Sequence, residues 1–114
     1  MRLPLRRSSI VWVDLSPTRG REQAGSRPAV VISSQGYLAN VPELLIIVPV
    51  TTTDRGWPHH VPVEGPEVDL PRPSFAMTEQ PRTIARSRIT GGAGAAGDTT
   101  MALIDRWLRD FTEP

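Results

Sequence analysis

The chain contains no cysteine and no lysine. Without cysteine there is no disulfide framework and no thiolate metal site, so stability has to come from packing and association. A reducing compartment suits such a chain, and the cytoplasm is the expected location. Without lysine, all 13 basic residues are arginine, which forks onto phosphate and stacks on bases better than lysine does. A GC-rich genome accounts for the same usage with no function attached. Long apolar runs are missing too. The basic start, Met1 to Arg7, is followed by an apolar run from Ile10 that is cut at Asp14. It carries no small-residue cleavage pattern, and no segment reaches membrane-span length, so neither a signal peptide nor a membrane partner is expected.

The net charge is only +1, but a local polyanion responds to distribution rather than to the sum. Arginines 2, 6, 7, 19, 21 and 27 face only Asp14 and Glu22 over the first 27 residues. Acids gather later, at Glu64, Glu67 and Asp69 and at Asp105, Asp110 and Glu113. At 114 residues, with 39% hydrophobic composition, residues 1–114 are expected to make one domain. The 12 prolines and 9 glycines cut the sequence into short runs, a pattern of strands rather than long helices.

Ile10-Val11-Trp12-Val13-Asp14-Leu15 reads as a first strand closed at Ser16-Pro17, followed by a polar loop over 16–26. Pro28 to Ser33 is an apolar run fit for a strand buried on both faces at the sheet centre, and Leu44 to Thr51 is another. Residues 35–42 read as a connection, His60 to Glu64 as a short strand, and 65–73 as an outer loop. Ser74 to Gln80 and Arg82 to Ala85 form a last pair, broken at Pro81. Residues 91–97 are glycine- and alanine-rich and read as a flexible connector, because the lysine of a phosphate-binding loop is missing. Asp98 is the expected N-cap of a helix over 98–112, whose Met101, Ile104, Trp107, Leu108 and Phe111 share one face. The expected class is mainly β with a C-terminal helix, α+β, around a barrel-like sheet.

Three stretches are more specific. Val11 to Ser33 contains D-x-x-P, then G-x-E-Q-x-G, then R-P-x-V-V-I; Val48-Pro49-Val50-Thr51-Thr52 and Glu79-Gln80-Pro81-Arg82-Thr83-Ile84 follow in order. These blocks resemble the MazF/PemK/Kid toxins. The resemblance implies an SH3-like barrel and a homodimer held in check by a cognate antitoxin. It also implies metal-independent, sequence-selective cleavage of single-stranded RNA by the ribose 2′-OH. That reaction leaves a 2′,3′-cyclic phosphate and a 5′-OH, and no cofactor is expected.

The resemblance carries the catalytic groups onto Arg27, Thr51 and Glu22. Arg27, a permanent cation, suits charge stabilisation better than proton donation; otherwise it ends a loop in a surface ion pair. Thr51 offers a hydroxyl to a phosphate oxygen, and is also an ordinary strand residue. Glu22 either takes the 2′-OH proton or hydrogen-bonds the loop to Arg27. Arg19, Arg21, Gln23, Ser26, Thr52, Thr53, Trp57, Glu79, Gln80 and Arg86 are the expected RNA contacts, with Trp57 available to stack on a base. Met77 stands where one branch of the family has an arginine, which makes Glu79 a base or loop contact rather than half of a catalytic pair. His59 and His60 are expected to be solvated turn residues, since neighbours on a strand point to opposite faces and do not share a metal. Two alternatives stay open: a non-catalytic module of the same fold acting by protein contact, as gyrase poisons do, and a decayed relative with a partner but no activity.

Overall fold

The computed structural model describes residues 4–15 and 25–114. Seven strands form one antiparallel sheet in the order β4-β5-β3-β2-β1-β7, with β6 pairing beside β5 on the same edge of β3. They are β1 (Ser9–Asp14), β2 (Ser26–Val31), β3 (Leu44–Thr51), β4 (His60–Pro62), β5 (Phe75–Met77), β6 (Arg82–Ala85) and β7 (Ile89–Ala95). Helix α1 spans Gln35–Asn40 and α2 spans Asp98–Thr112. The expected class is the observed one. The sheet curls without closing: no ladder joins β4 to β7 among the described residues.

Two-residue alternation sends each central strand into both cores. Ile10, Val30, Val48 and Val50 pack on one face with Met101 and Ile104 of α2. Val11, Val13, Ala29, Val31, Leu45 and Ile47 pack on the other with Leu38 of α1 and Ile84 of β6. That double burial is why β2 and β3 read as nearly unbroken apolar runs. Strand β3 changes partner along its length, pairing β6 from Leu44 to Ile47 and β5 at Val50 and Thr51. Pro49 falls between those two ladders, where its missing N–H interrupts neither.

Helix α2 buries Thr100, Met101 and Ile104 as the apolar stripe requires. Its N-cap is Gly97, not Asp98, which lies in the first turn, where a carboxylate complements the helix dipole. Thr100 fastens the helix to β4: its hydroxyl donates to the Pro62 carbonyl at 2.9 Å and accepts from the Glu64 amide at 3.1 Å.

Two expectations need correction. Residues 91–97 are not a flexible connector, because 91–95 lie in β7, which pairs with β1 from Ser9↔Ala95 to Val13↔Ile89. The absence of side chains there serves close approach: Gly94 (φ +80°) bridges Val68. The 35–42 connection holds α1, begun by the Ser34 hydroxyl accepting from the Tyr37 amide at 3.0 Å. The basic N-terminal extension over 1–9 is fastened where it is described. Arg6 pairs with Glu67 at 3.0 Å, and Arg7 donates to the Ile32 carbonyl at 2.7 Å and pairs with Asp105 of α2. Those two charges are engaged in fixing the fold.

Candidate functional site

A cleft of about 490 Å³ opens across the ends of the central strands. Trp12, Pro28 and Val50, one from each of β1, β2 and β3, line it with Leu70, and Ser26, Arg27, Thr51, Thr52 and Thr53 add polar groups. The register explains the meeting: Trp12 lies opposite Pro28, and Ala29 lies opposite Pro49, so the end of β2 and the end of β3 arrive side by side. Arg27 sits opposite Val13 with its side chain exposed. Among the described residues it forms no ion pair.

The Thr51 hydroxyl accepts from the Thr53 amide at 3.1 Å. With a donor already on its oxygen, its own proton is left to give. Ser26 and Thr90 share a hydrogen bond of 2.6 Å, and Thr90 also reaches the Trp12 carbonyl at 3.3 Å. If Thr90 donates to that carbonyl, Ser26 donates to Thr90 and faces the cleft as an acceptor. Glu22, Arg19, Arg21 and Gln23 lie outside the described residues.

The opposite wall was not anticipated. Leu70, Pro71, Arg72 and Ser74 line the cleft, and Arg72 brings a second exposed guanidinium that forms no ion pair among the described residues. Nothing in the run Val68-Asp69-Leu70-Pro71-Arg72-Pro73 marks it locally; only the folding of this loop back over the sheet does so, through the Val68–Gly94 bridge and the Ser74 hydroxyl donating to the Arg72 carbonyl at 2.8 Å.

Four of the expected RNA contacts, Trp57, Glu79, Gln80 and Arg86, do not line the cleft. Arg86 lies in a single 3₁₀ turn, its amide donating to the Glu43 carbonyl at 2.7 Å. Trp57 is 45% exposed, but Arg55 lies over its ring at 5.2 Å and His59 stacks on it at 5.4 Å. Glu79 and Gln80 belong to the turn between β5 and β6, and Gln80 donates to Glu79 at 3.3 Å.

The histidines depart furthest from expectation. His60 is 5% exposed, and its Nε2 lies 3.1 Å from Glu79 Oε2; His59 Nε2 lies 3.7 Å from Oε1 of the same carboxylate. They are not solvated turn residues pointing apart: only His60 belongs to β4, while His59 is in the preceding turn, so strand alternation does not separate them. At Glu79, burial is the largest single influence and raises the carboxyl pKa, but the His60 hydrogen bond opposes it. With help from the residue's own amide, Gln80 and the His60 charge, the pKa is held below its ordinary 4.5.

A polar cleft with two guanidinium groups that form no ion pair among the described residues, and a ready hydroxyl, on a small curled antiparallel sheet, is suited to gripping a phosphate ester. Residues 6–112 match the family of PemK-like, MazF-like toxins of type II toxin–antitoxin systems, and the chain belongs to that family. It is 38% identical over 96 residues to the endoribonuclease toxin MazF of Escherichia coli K12, covering 83% of this chain and 82% of that one. It is 33% identical over 110 residues to endoribonuclease MazF9 of Mycobacterium tuberculosis, covering 92% and 93%. Its fold matches the crystal structure of MazF from Deinococcus radiodurans with a TM-score of 0.77 and 26% identity over 96% of this chain and 97% of that one. A MazE–MazF structure from the same organism matches at 0.78 and 26% over 94% of each.

Proposed function

We infer that the chain is the endoribonuclease toxin of a toxin–antitoxin pair and that it cuts single-stranded RNA within chosen sequences, without a metal, in the cytoplasm. In this reading the ribose 2′-oxygen bonds to the adjacent phosphorus and the bond to the 5′-oxygen breaks, leaving a 2′,3′-cyclic phosphate and a 5′-OH. The observation that carries it is the meeting of Arg27 and Thr51 in one cleft of a chain from this family. As negative charge builds on the phosphate oxygens, the Arg27 guanidinium stabilises it, and the Thr51 hydroxyl donates a further hydrogen bond. Glu22 is the proposed acceptor of the 2′-OH proton. Ser26, Thr52 and Thr53 contact the RNA beside the scissile bond, and Arg72 holds a neighbouring phosphate. The non-catalytic alternative gives no account of a cleft furnished in this way.

Incubating the protein with a long single-stranded RNA in excess EDTA, then mapping the fragment ends, tests this reading. The expected products carry 2′,3′-cyclic phosphates and 5′-hydroxyls at a restricted set of sequences. A strict requirement for divalent metal with 5′-phosphate products would overturn the mechanism. Intact RNA would favour action by protein contact.

The proposed assembly is a homodimer, bound in the resting state by a cognate antitoxin of the MazE kind. Trp57, Leu103 and Phe111 leave 45%, 37% and 47% of their surface exposed, apolar area that a two-fold partner would cover. Sedimentation equilibrium at micromolar concentration is expected to return twice the mass of 12.5 kDa. A monomer with full cleavage activity would sink the assembly.

A further inference from the structure

His59, His60 and Glu79 stand apart from the cleft described above, and one nitrogen or oxygen from each lies within 4.8 Å of the others. We propose that these three residues bind a divalent cation of the zinc class, with two imidazoles and one carboxylate as ligands and an open fourth position. The chemistry of the set is that of an N/O zinc site, in which bonds of about 2.0–2.2 Å around a tetrahedral centre put the ligand atoms roughly 3.3 Å apart. The Nε2–oxygen separations of 3.1 and 3.7 Å run to the two different oxygens of Glu79, and the set spans up to 4.8 Å, so side-chain rotation draws the ligand atoms together around the ion.

Three backbone restraints hold the ligands in place before any ion arrives. His60 lies opposite Met77, two residues from Glu79, in the β4–β5 ladder. The buried Thr78 hydroxyl donates to the His59 carbonyl at 2.6 Å, tying the Glu79 turn to the histidine turn. The His60 amide donates to the Trp57 carbonyl at 3.0 Å. Around the imidazoles stand Trp57, Trp107 and Phe111, all within 6.0 Å of the His59 ring centre. Such apolar rings exclude water and strengthen a charge-based contact. The side chains of His59 and Glu79 remain 26% and 31% exposed, which gives an ion its way in. One feature limits the affinity. His60 Nδ1 is buried with no partner among the described residues, and a ligating imidazole whose second nitrogen lacks an acceptor binds roughly 10- to 100-fold more weakly than one with a complete outer shell.

The bound ion would clip β4 to the β5–β6 turn at the end of the 54–58 segment, which leaves the cleft after Thr53. It is separate from RNA cleavage, which is proposed to need no metal. The test uses protein expressed without a histidine tag and titrated with Co²⁺, followed by competition with Zn²⁺. Wild type is expected to develop the intense visible bands of four- or five-coordinate Co²⁺, with a dissociation constant on the order of micromolar, and to lose them when Zn²⁺ is added. His59→Gln and Glu79→Gln, both at partly exposed positions, are expected to weaken binding at least 10-fold with unchanged circular dichroism. Absence of such bands from the wild type, or undiminished binding in either folded variant, would overturn the site.

Discussion

Replacing Arg27 with alanine is expected to slow RNA cleavage by about 10²-fold or more, the loss typical of removing one preorganised donor aimed at developing charge. The size of the effect follows from where the side chain stands. It leaves β2 at its exposed end, while beyond half-buried Pro28 the residues Ala29, Val30 and Val31 are fully buried and hold the backbone in place whatever the side chain at position 27. Truncation therefore opens no cavity and breaks no ion pair with a described residue. What disappears is a forked cation lining the same partly enclosed cleft as Thr51, where charge is worth more than in open water. Arg27→Lys keeps the charge but loses the fork and is expected to fall between the two. Single-turnover cleavage rates, with circular dichroism and thermal melts as the fold control, decide it. A folded Arg27→Ala protein with full activity would remove Arg27 from the mechanism.

The largest loss of stability is expected from Gly94→Ala. A Cβ at this position would stand 1.8 Å from the Glu67 carbonyl oxygen and 3.0 Å from its carbon, and both obstacles are backbone, so no rotamer change relieves them. The residue also holds φ at +80°, in the region that favours glycine. Relief requires the 67–69 segment to leave β7. That breaks the Val68–Gly94 bridge and the bonds from Asp69 N to Ala93 O at 3.0 Å and from Ala95 N to Glu67 O at 3.1 Å. Strain of about 1–3 kcal/mol and about 1 kcal/mol for each lost bond give a total of roughly 3–5 kcal/mol. A native domain holds only about 5–15 kcal/mol in all, so the melting temperature should fall by well over ten degrees. Gly91→Ala is the control: its new methyl group would meet only Trp12 Cδ1 at 3.9 Å, an ordinary contact. Equal melting temperatures for the two variants would show that the 66–74 loop is not held as described.

These two positions differ in how far the sequence announced them. Arg27 sits in a motif, R-P-x-V-V-I, whose apolar half is dictated by burial on both sheet faces, so strand and site residue were read together. The same burial made β1 and β3 legible as apolar runs of strand length, and α2 was legible from the three- and four-residue spacing of its apolar stripe. Gly94 belongs to a strand with no such period. Ile89 to Ala95 contains three glycines and two alanines, and its pairing with β1 is a property of the partner and of close packing. Helix α1 escaped because six residues carry too little periodicity. At the site, Thr51, Thr52, Thr53 and Ser26 were expected beside Arg27 and are found there. Arg72 was invisible because a proline-rich loop shows no sign of folding back. The pairing of His59 and His60 with one carboxylate depends on where a turn gives way to β4, a boundary of one residue, and alternation applied one residue too early sends them apart.

Besides Trp12, the cleft takes its walls from three separated pieces of chain, 25–28, 50–53 and 70–74, over a sheet whose first strand is paired with its last. During synthesis, then, the ribosome releases the two central walls long before the third. Strand β1 waits without one of its neighbours until residues 89–95 emerge. The cleft is complete only once the loop bearing Arg72 is held down by the glycine strand.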